Sequence, residues 1–400
     1  MRFLGVNRLF YLYTYFQVSS VFLLATVNLS FLAFIPVLLS IISGTNGRDL
    51  RLDKLQLNFI YFSIGAILVC GNQAFVSVYY FINSLKVLPN YIYWVILCII
   101  TVKEIKRLNI DLFLNYLVWG ILTLTVYYLF VQEKVTQPYL LKKFQPNNFA
   151  FVLITYLPYV VYWSRKKYSK GVSIGLFTLL LVAMLLEERR AGFVLCTVGG
   201  LLVLNLRLLT RSSAKSLTLA FLGFVLIFAL SQISSVKLVF SQLSPEVAEL
   251  VYNETDLTLD RSLLTRKAMV EKGLTSFSYN PLLGIGLNNF TKKEVLIEGK
   301  FEGAEYVIDK DIYERTSSHN SYINMLAEGG LVLFVPFTLI IVSIFQRYIR
   351  SYRTLNDLQI VAFISILMML IHFYYMNAYV NSLAWFNIGI CAGLRPRKNY

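Results

Sequence analysis

The chain has 400 residues, 57% of them hydrophobic and only 15% charged, with a formal net charge of +15. A soluble domain carries about 25% charged residues, so this composition excludes an ordinary water-solvated domain and implies a chain solvated by lipid. The basic excess is not a nucleic-acid signal here, because Lys and Arg collect in the cytoplasmic loops of membrane proteins.

Taken in chain order, the apolar runs fall near 9–27, 29–44, 57–85, 87–102, 111–131, 148–164, 171–187, 191–207, 216–232, 322–346, 357–376 and 379–394. A crossing helix needs about 20 apolar residues, so these runs predict about twelve transmembrane helices in an all-α, polytopic fold. The basic flank of Arg2 and Arg8 precedes a first span rather than a cleaved signal. The third run is long and carries Gly71-Asn72-Gln73, which predicts a broken or re-entrant segment.

The loops test this layout. Basic clusters lie at Arg48/Arg51/Lys54, Lys103/Lys106/Arg107, Arg165/Lys166/Lys167/Lys170, Arg207/Arg211/Lys215, Arg347/Arg350/Arg353 and Arg395/Arg397/Lys398. Twelve crossings from a cytoplasmic N-terminus put every cluster on the cytoplasmic side. Three segments then face outward: 132–147, the turn at 188–190, and the loop 233–321. The chain therefore divides into a first membrane region (1–232, about nine spans), one large extracytoplasmic loop (233–321) and a C-terminal membrane region (322–400, about three spans). A loop this long is usually functional or disordered. Leu263, Leu264, Met269, Val270 and Leu274 predict a short amphipathic helix on the membrane surface within it.

Chemistry-bearing residues gather on the outward side. Glu187-Glu188-Arg189-Arg190 ends the seventh span. It reads either as an outer turn with self-neutralised charges or as an anion clamp, for which the always-charged, planar guanidinium is suited. Arg261, Arg266 and Lys267 lie on the loop helix, where a spacing of five turns Arg261 and Arg266 about 140° apart. The turn Asn280-Pro281-Leu282-Leu283-Gly284-Ile285-Gly286 follows, but it opens no βαβ unit, so a dinucleotide site is excluded. Ser317-Ser318-His319-Asn320-Ser321-Tyr322 precedes the tenth span, with Glu328 a turn or two inside. Imidazole can take and return a proton near neutral pH, and an acid within a span is a functional suspect. The other histidine, His372, reads as a packed, hydrogen-bonded core residue. Asp309-Lys310-Asp311 resembles a metal pair, but chance suffices in so acidic a loop. Gln145-Pro146-Asn147-Asn148 reads as a helix start. Cys70, Cys98, Cys196 and Cys391 all lie in apolar runs, so neither a disulfide framework nor a zinc site is indicated.

Four of these pieces, in order, resemble the O-antigen ligase/polymerase superfamily of bacterial envelope glycosyltransferases. Pro146-Asn147-Asn148-Phe149-Ala150 is similar to an N-P-N-x-x-A element, and Arg190-Ala191-Gly192 to an S-R-G turn whose Ser is Arg189 here. Arg261, Ala268 and the Pro281–Gly286 run resemble R…A…P-L-L-G-x-G. His319-Asn320-x-Tyr322 with Glu328-Gly329 resembles H-N-x-Y…E-x-G. The resemblance implies transfer of a glycan from undecaprenyl diphosphate to a sugar hydroxyl in the bacterial inner membrane, with the active site facing the periplasm. It implies no metal or other cofactor. His319 would be catalytic. Arg190 and Arg261, with Arg189 and Arg266 as their neighbours, would hold the diphosphate, and Asn320 and Glu328 would serve the substrate site. The acceptor would be lipid A–core for a ligase, or a second lipid-linked glycan for a polymerase. A polysaccharide transporter or flippase is the reading from another class, but transporters show paired repeats and mid-membrane charges that this chain lacks.

Overall fold

The computed structural model describes residues 6–19, 23–24, 27–28, 34–35, 54–131, 146–186, 190–206, 261–292, 318–394 and 396. These residues are almost wholly helical, as lipid demands, since no water is present to satisfy backbone N–H and C=O groups. Helix α1 spans Val6–Ser19, and a minimal antiparallel pairing of Leu23–Leu24 with Val27–Asn28 follows it. Then come α2 (Lys54–Val76), α3 (Val78–Glu104) and α4 (Ile110–Val126), which continues as a π-turn over Tyr127–Val131. Next are α5 (Pro146–Lys167), α6 (Lys170–Leu186), α7 (Arg190–Leu204) and α8 (Arg261–Tyr279). The chain closes with α9 (Ser321–Arg350), α10 (Asp357–His372) and α11 (Ser382–Leu394).

Four of these segments are long and apolar enough to cross a membrane: Lys54–Val76, Val78–Glu104, Ile110–Val131 and Ser321–Arg350. Shorter apolar helices cover Lys170–Met184, Gly192–Leu204, Asp357–His372 and Ser382–Leu394. The chain is thus a multi-pass helical membrane protein, while four long spans stand where about twelve were expected. The expected span at 216–232 lies outside the described residues, as does most of 29–44. Side chains such as Phe75, Val78, Trp119 and Val335 point outward, which suits contact with acyl chains.

Two expectations are corrected. The break in the third apolar run is not at Gly71-Asn72-Gln73, which remains helical, but at Ser77, whose extended backbone (φ −165°, ψ 135°) separates α2 from α3. Both helices keep their ladders up to this residue, because the Ser77 N–H donates to Gln73 O (3.0 Å) and its carbonyl accepts from the Phe81 N–H (2.9 Å). One residue thus turns the chain while keeping its own N–H and carbonyl bonded to the two helices. The first helix ends at Ser19 rather than continuing to 27.

Side-chain contacts give the helix directions. Phe62 stacks on Tyr91 at 6.0 Å between centroids, so α2 and α3 are antiparallel about Ser77. On α9, Asn58 reaches Ser343 while Phe62 meets Phe337, which makes α9 antiparallel to α2. The pair Gly389 and Gly393 lets α11 lie against Thr101 and Ile105 of α3, where any Cβ would collide. This small-xxx-small spacing is a common device for close helix approach in lipid. α10 runs back along α11, with Gln359 Nε2 donating to Leu394 O (2.8 Å) and Cys391 Sγ to Ala362 O (3.1 Å). α5 sits centrally: Tyr156 Oη donates to Leu383 O (2.7 Å), and Trp163 Nε1 to Asn115 Oδ1 of α4 (2.6 Å). α7 runs parallel to α5, with Gly199 beside Pro158 and Arg165 Nη1 donating to Val203 O at 3.1 Å.

All these directions agree on two ends. Lys54, Lys103, Arg165–Lys167, Lys170, Arg347 and Arg350 mark a basic end. The opposite end carries Ser77, the start of α5, Arg190, the start of α9, the end of α10 and the start of α11. Asp111 and Lys166 form an ion pair at the basic end.

Candidate functional site

The site grows from a break in α9. Gly330 has φ 57° and ψ −160°, so the helix is interrupted one third of the way along. An interruption frees backbone groups, and within a membrane protein another part of the chain must satisfy them. The turn 280–290 does so. Ile285 N donates to Ala327 O (2.8 Å) and Gly286 N to Glu328 O (3.0 Å), while Leu331 N and Val332 N donate to Pro281 O and Leu282 O (2.8 and 3.1 Å). Glycine is required on both sides of this backbone-to-backbone seam. Gly284 (φ +64°) and Gly330 (φ +57°) are left-handed, and a Cβ on them would lie 2.5 Å from Glu328 C and 2.4 Å from Leu282 O.

Glu328 bolts the seam. Its Oε1 accepts from the Phe290 N–H at 3.1 Å, and its Oε2 accepts from Tyr379 Oη at 3.4 Å. The Asn288 amide and the Asn324 side chain also donate to this carboxyl. Tyr379 in turn meets Tyr91 Oη (3.0 Å) and accepts from Asn324 Nδ2 (3.4 Å), and Asn324 accepts from Ser318 Oγ (3.4 Å). A buried polar network therefore runs from α3 through the α10–α11 connection to the residue before His319.

His319 is held from both sides. It has φ 49°, a left-handed conformation that only a few per cent of non-glycine residues adopt, histidine among the more tolerant of them. Ser318 Oγ donates to Asn320 O (2.7 Å) and accepts from the Asn320 N–H (3.3 Å), bridging the histidine. Asn320 caps α9, its Oδ1 accepting from Tyr322 N (3.0 Å) and Ile323 N (3.1 Å). Strained residues persist only where their surroundings over-determine them, and they cluster at active sites. The ring is half-buried, between Ser318 and Asn320, which are fully buried.

The other expected residues fall as follows. Arg190 is the first residue of α7, at the same end of the bundle as His319. Arg261 opens α8, and Arg266 and Lys267 lie on its first half. α8 packs on α9 beside the turn, with Ala268, Met269, Phe290 and Ala327 in one apolar cluster. The side chains of Arg190, Arg261, Arg266 and Lys267 lie outside the described residues, as does all of Arg189, Asp309 and Asp311. The loop helix exists as expected, but its inward face differs: Leu274 is 49% exposed, whereas Lys272 (1%) and Ser276 (0%) are buried. His372 is packed, 5.9 Å from Phe151, yet neither ring nitrogen has a hydrogen-bond partner among the described residues, contrary to the expectation of a bonded core residue.

Several residues of this site were missed by sequence reasoning. Tyr379, Tyr91 and Asn324 are unremarkable in apolar runs of sequence, and only the fold brings them to Glu328. Lys272 Nζ sits 5.2 Å from the Phe290 ring centroid, a buried cation behind the seam. Its signal is its place three and four residues from Met269 and Ser276 on one helix face. Among the described residues no cluster of His, Cys, Asp and Glu could hold a metal. The four cysteines are buried and free.

Fold and site together define a multi-pass helical membrane protein whose polar machinery gathers at one end of the bundle, around a broken helix. Residues 174–338 match the family model described as O-antigen ligase, so over this stretch the chain is similar to that family. The match begins in α6, takes in Arg190, α8, the glycine turn and His319, and ends just past the break in α9. It supports a glycan-handling membrane enzyme whose substrate class is a lipid-linked glycan. A comparison with curated proteins finds no match.

Proposed function

We propose that this chain is a metal-independent glycosyltransferase that moves a glycan from undecaprenyl diphosphate to a sugar hydroxyl of lipid A–core, as an O-antigen ligase. The observation that supports the reading is that the start of α7 at Arg190, the glycine turn and the left-handed His319 lie at the same end of the bundle. That end would face the periplasm of a bacterial inner membrane, since the basic clusters mark the cytoplasmic side.

The acceptor hydroxyl attacks the anomeric carbon. The new C–O bond forms as the bond from that carbon to the diphosphate oxygen breaks, and the electron pair leaves on the diphosphate. Arg190 and Arg261, or their neighbours Arg189 and Arg266, neutralise that charge where little water screens it. His319 takes the acceptor's proton. Direct displacement inverts the anomeric centre. Asn320 and Glu328 act through position: one caps the helix behind His319, the other locks the turn beneath it.

The test is made in the native host. His319→Ala and Arg190→Ala should each lower glycan transfer about 10²–10⁴-fold with unchanged protein in the membrane. Full complementation by His319→Ala would refute the role. In a deletion strain, full-length chains retained on undecaprenyl would mark a ligase. Single-repeat caps would mark a polymerase instead.

A further inference from the structure

The connection between α10 and α11 is wrapped around the start of α9. Ser321 N donates to Phe373 O (2.8 Å), and Ser321 Oγ donates to Met376 O (2.6 Å) while accepting from the Ala378 N–H (2.8 Å). Residues 373–378 are thus fixed two residues from His319. At the end of α10 and in this connection, three side-chain polar atoms are buried with no hydrogen-bond partner among the described residues: Nδ1 and Nε2 of His372, and Oδ1 of Asn377. His372 is 6% exposed, with its ring against Phe151 near the start of α5. Asn377 is half-buried.

A buried polar atom without a partner is destabilising, so three close together along the chain are a substantial burden. A packed apolar residue at either position would avoid it. The backbone does not need these side chains, because the His372 carbonyl already accepts from Tyr375 N (2.9 Å) and Met376 N (3.1 Å). The chemistry of the atoms limits what could satisfy them. A neutral imidazole offers one donor and one acceptor, and the amide oxygen is an acceptor. Phosphate oxygens, which only accept, would leave the bare imidazole nitrogen and the amide oxygen unsatisfied. Hydroxyl groups both donate and accept, and therefore answer all three.

We propose that the α10–α11 connection is a sugar-binding subsite in which His372 and Asn377 hydrogen-bond the hydroxyls of the glycan presented to His319. The inference rests on the glycan-transfer reading above and adds to it the residues that hold the sugar rather than the diphosphate.

The test uses the full chain in its own membrane, where the natural glycan is present. A photo-crosslinking residue, p-benzoylphenylalanine, replaces His319, Asn377 or, at the basic end, Arg353. After irradiation the purified protein is analysed by mass for carbohydrate-bearing adducts. Adducts at 319 and 377 but not at 353 are expected. An adduct at 319 without one at 377 would overturn the subsite alone, whereas none at either would overturn the transfer reading as well. In parallel, His372→Phe keeps the ring stack and removes both nitrogens. We expect it to accumulate normally, keep or raise its thermal midpoint and lose at least about tenfold in transfer. Wild-type transfer by His372→Phe would mean that the nitrogens serve only a buried water, and would refute the assignment.

Discussion

Glu328 shows how a single side chain can hold two backbone segments together. Its two oxygens are spent on the Phe290 amide and the Tyr379 hydroxyl. Glu328→Gln retains an acceptor for Phe290 and a polar contact to Tyr379, so stability should change by less than about 1 kcal/mol. Glu328→Leu strands the Phe290 and Asn288 amides and should cost about 2–5 kcal/mol, read as a fall in the unfolding midpoint of the purified protein. Equal midpoints for the two variants would count against the latch. At the basic end, Arg165 donates to the last carbonyls of α7, Val203 and Leu204. A cation there completes the helix end, so Arg165→Ala should lower stability by about 0.5–1.5 kcal/mol and leave transfer nearly intact.

The decisive element is the pairing of the 280–290 turn with the broken α9. Gly330→Ala and Gly284→Ala force a Cβ into backbone atoms at a left-handed position. Each should lower stability by more than about 1–3 kcal/mol and reduce the amount of protein in the membrane. Gly71→Ala is the matched control: nothing lies within 4 Å of its Cβ position, so a helical alanine there should be neutral or better. Much of this element was legible in the sequence. Pro281–Gly286, Glu328-Gly329 and His319-Asn320 stood out as motifs, because glycine, proline and capping residues leave a trace when the backbone needs them. What they do to one another was not legible, since the seam joins residues about 45 apart through main-chain atoms that carry no sequence signature. The same reason hid Ser77: one extended serine turned the chain, while the conspicuous Gly71-Asn72-Gln73 stayed helical.

At the scale of the whole molecule, hydropathy and charge announced a multi-pass helical protein with a basic end, and both are present. The packing that orders the helices was hidden, because Gly389 and Gly393 of α11, or Tyr156 of α5, look alike in any apolar run until a partner is known. His372 illustrates the limit well. From sequence it was a core histidine; within the fold it lies beside the start of α9, and its ring nitrogens find no partner among the described residues.

The account depends on the start of α7 and the start of α9 sharing one face of the membrane. The four native cysteines are buried, so a single introduced cysteine reports with little background. Cysteine at position 190, 319 or 353 in intact cells, treated with a membrane-impermeant maleimide, measures this directly. Labelling at 190 and 319 with protection at 353 is the predicted result; labelling of 190 and 319 from opposite sides of the membrane would contradict it.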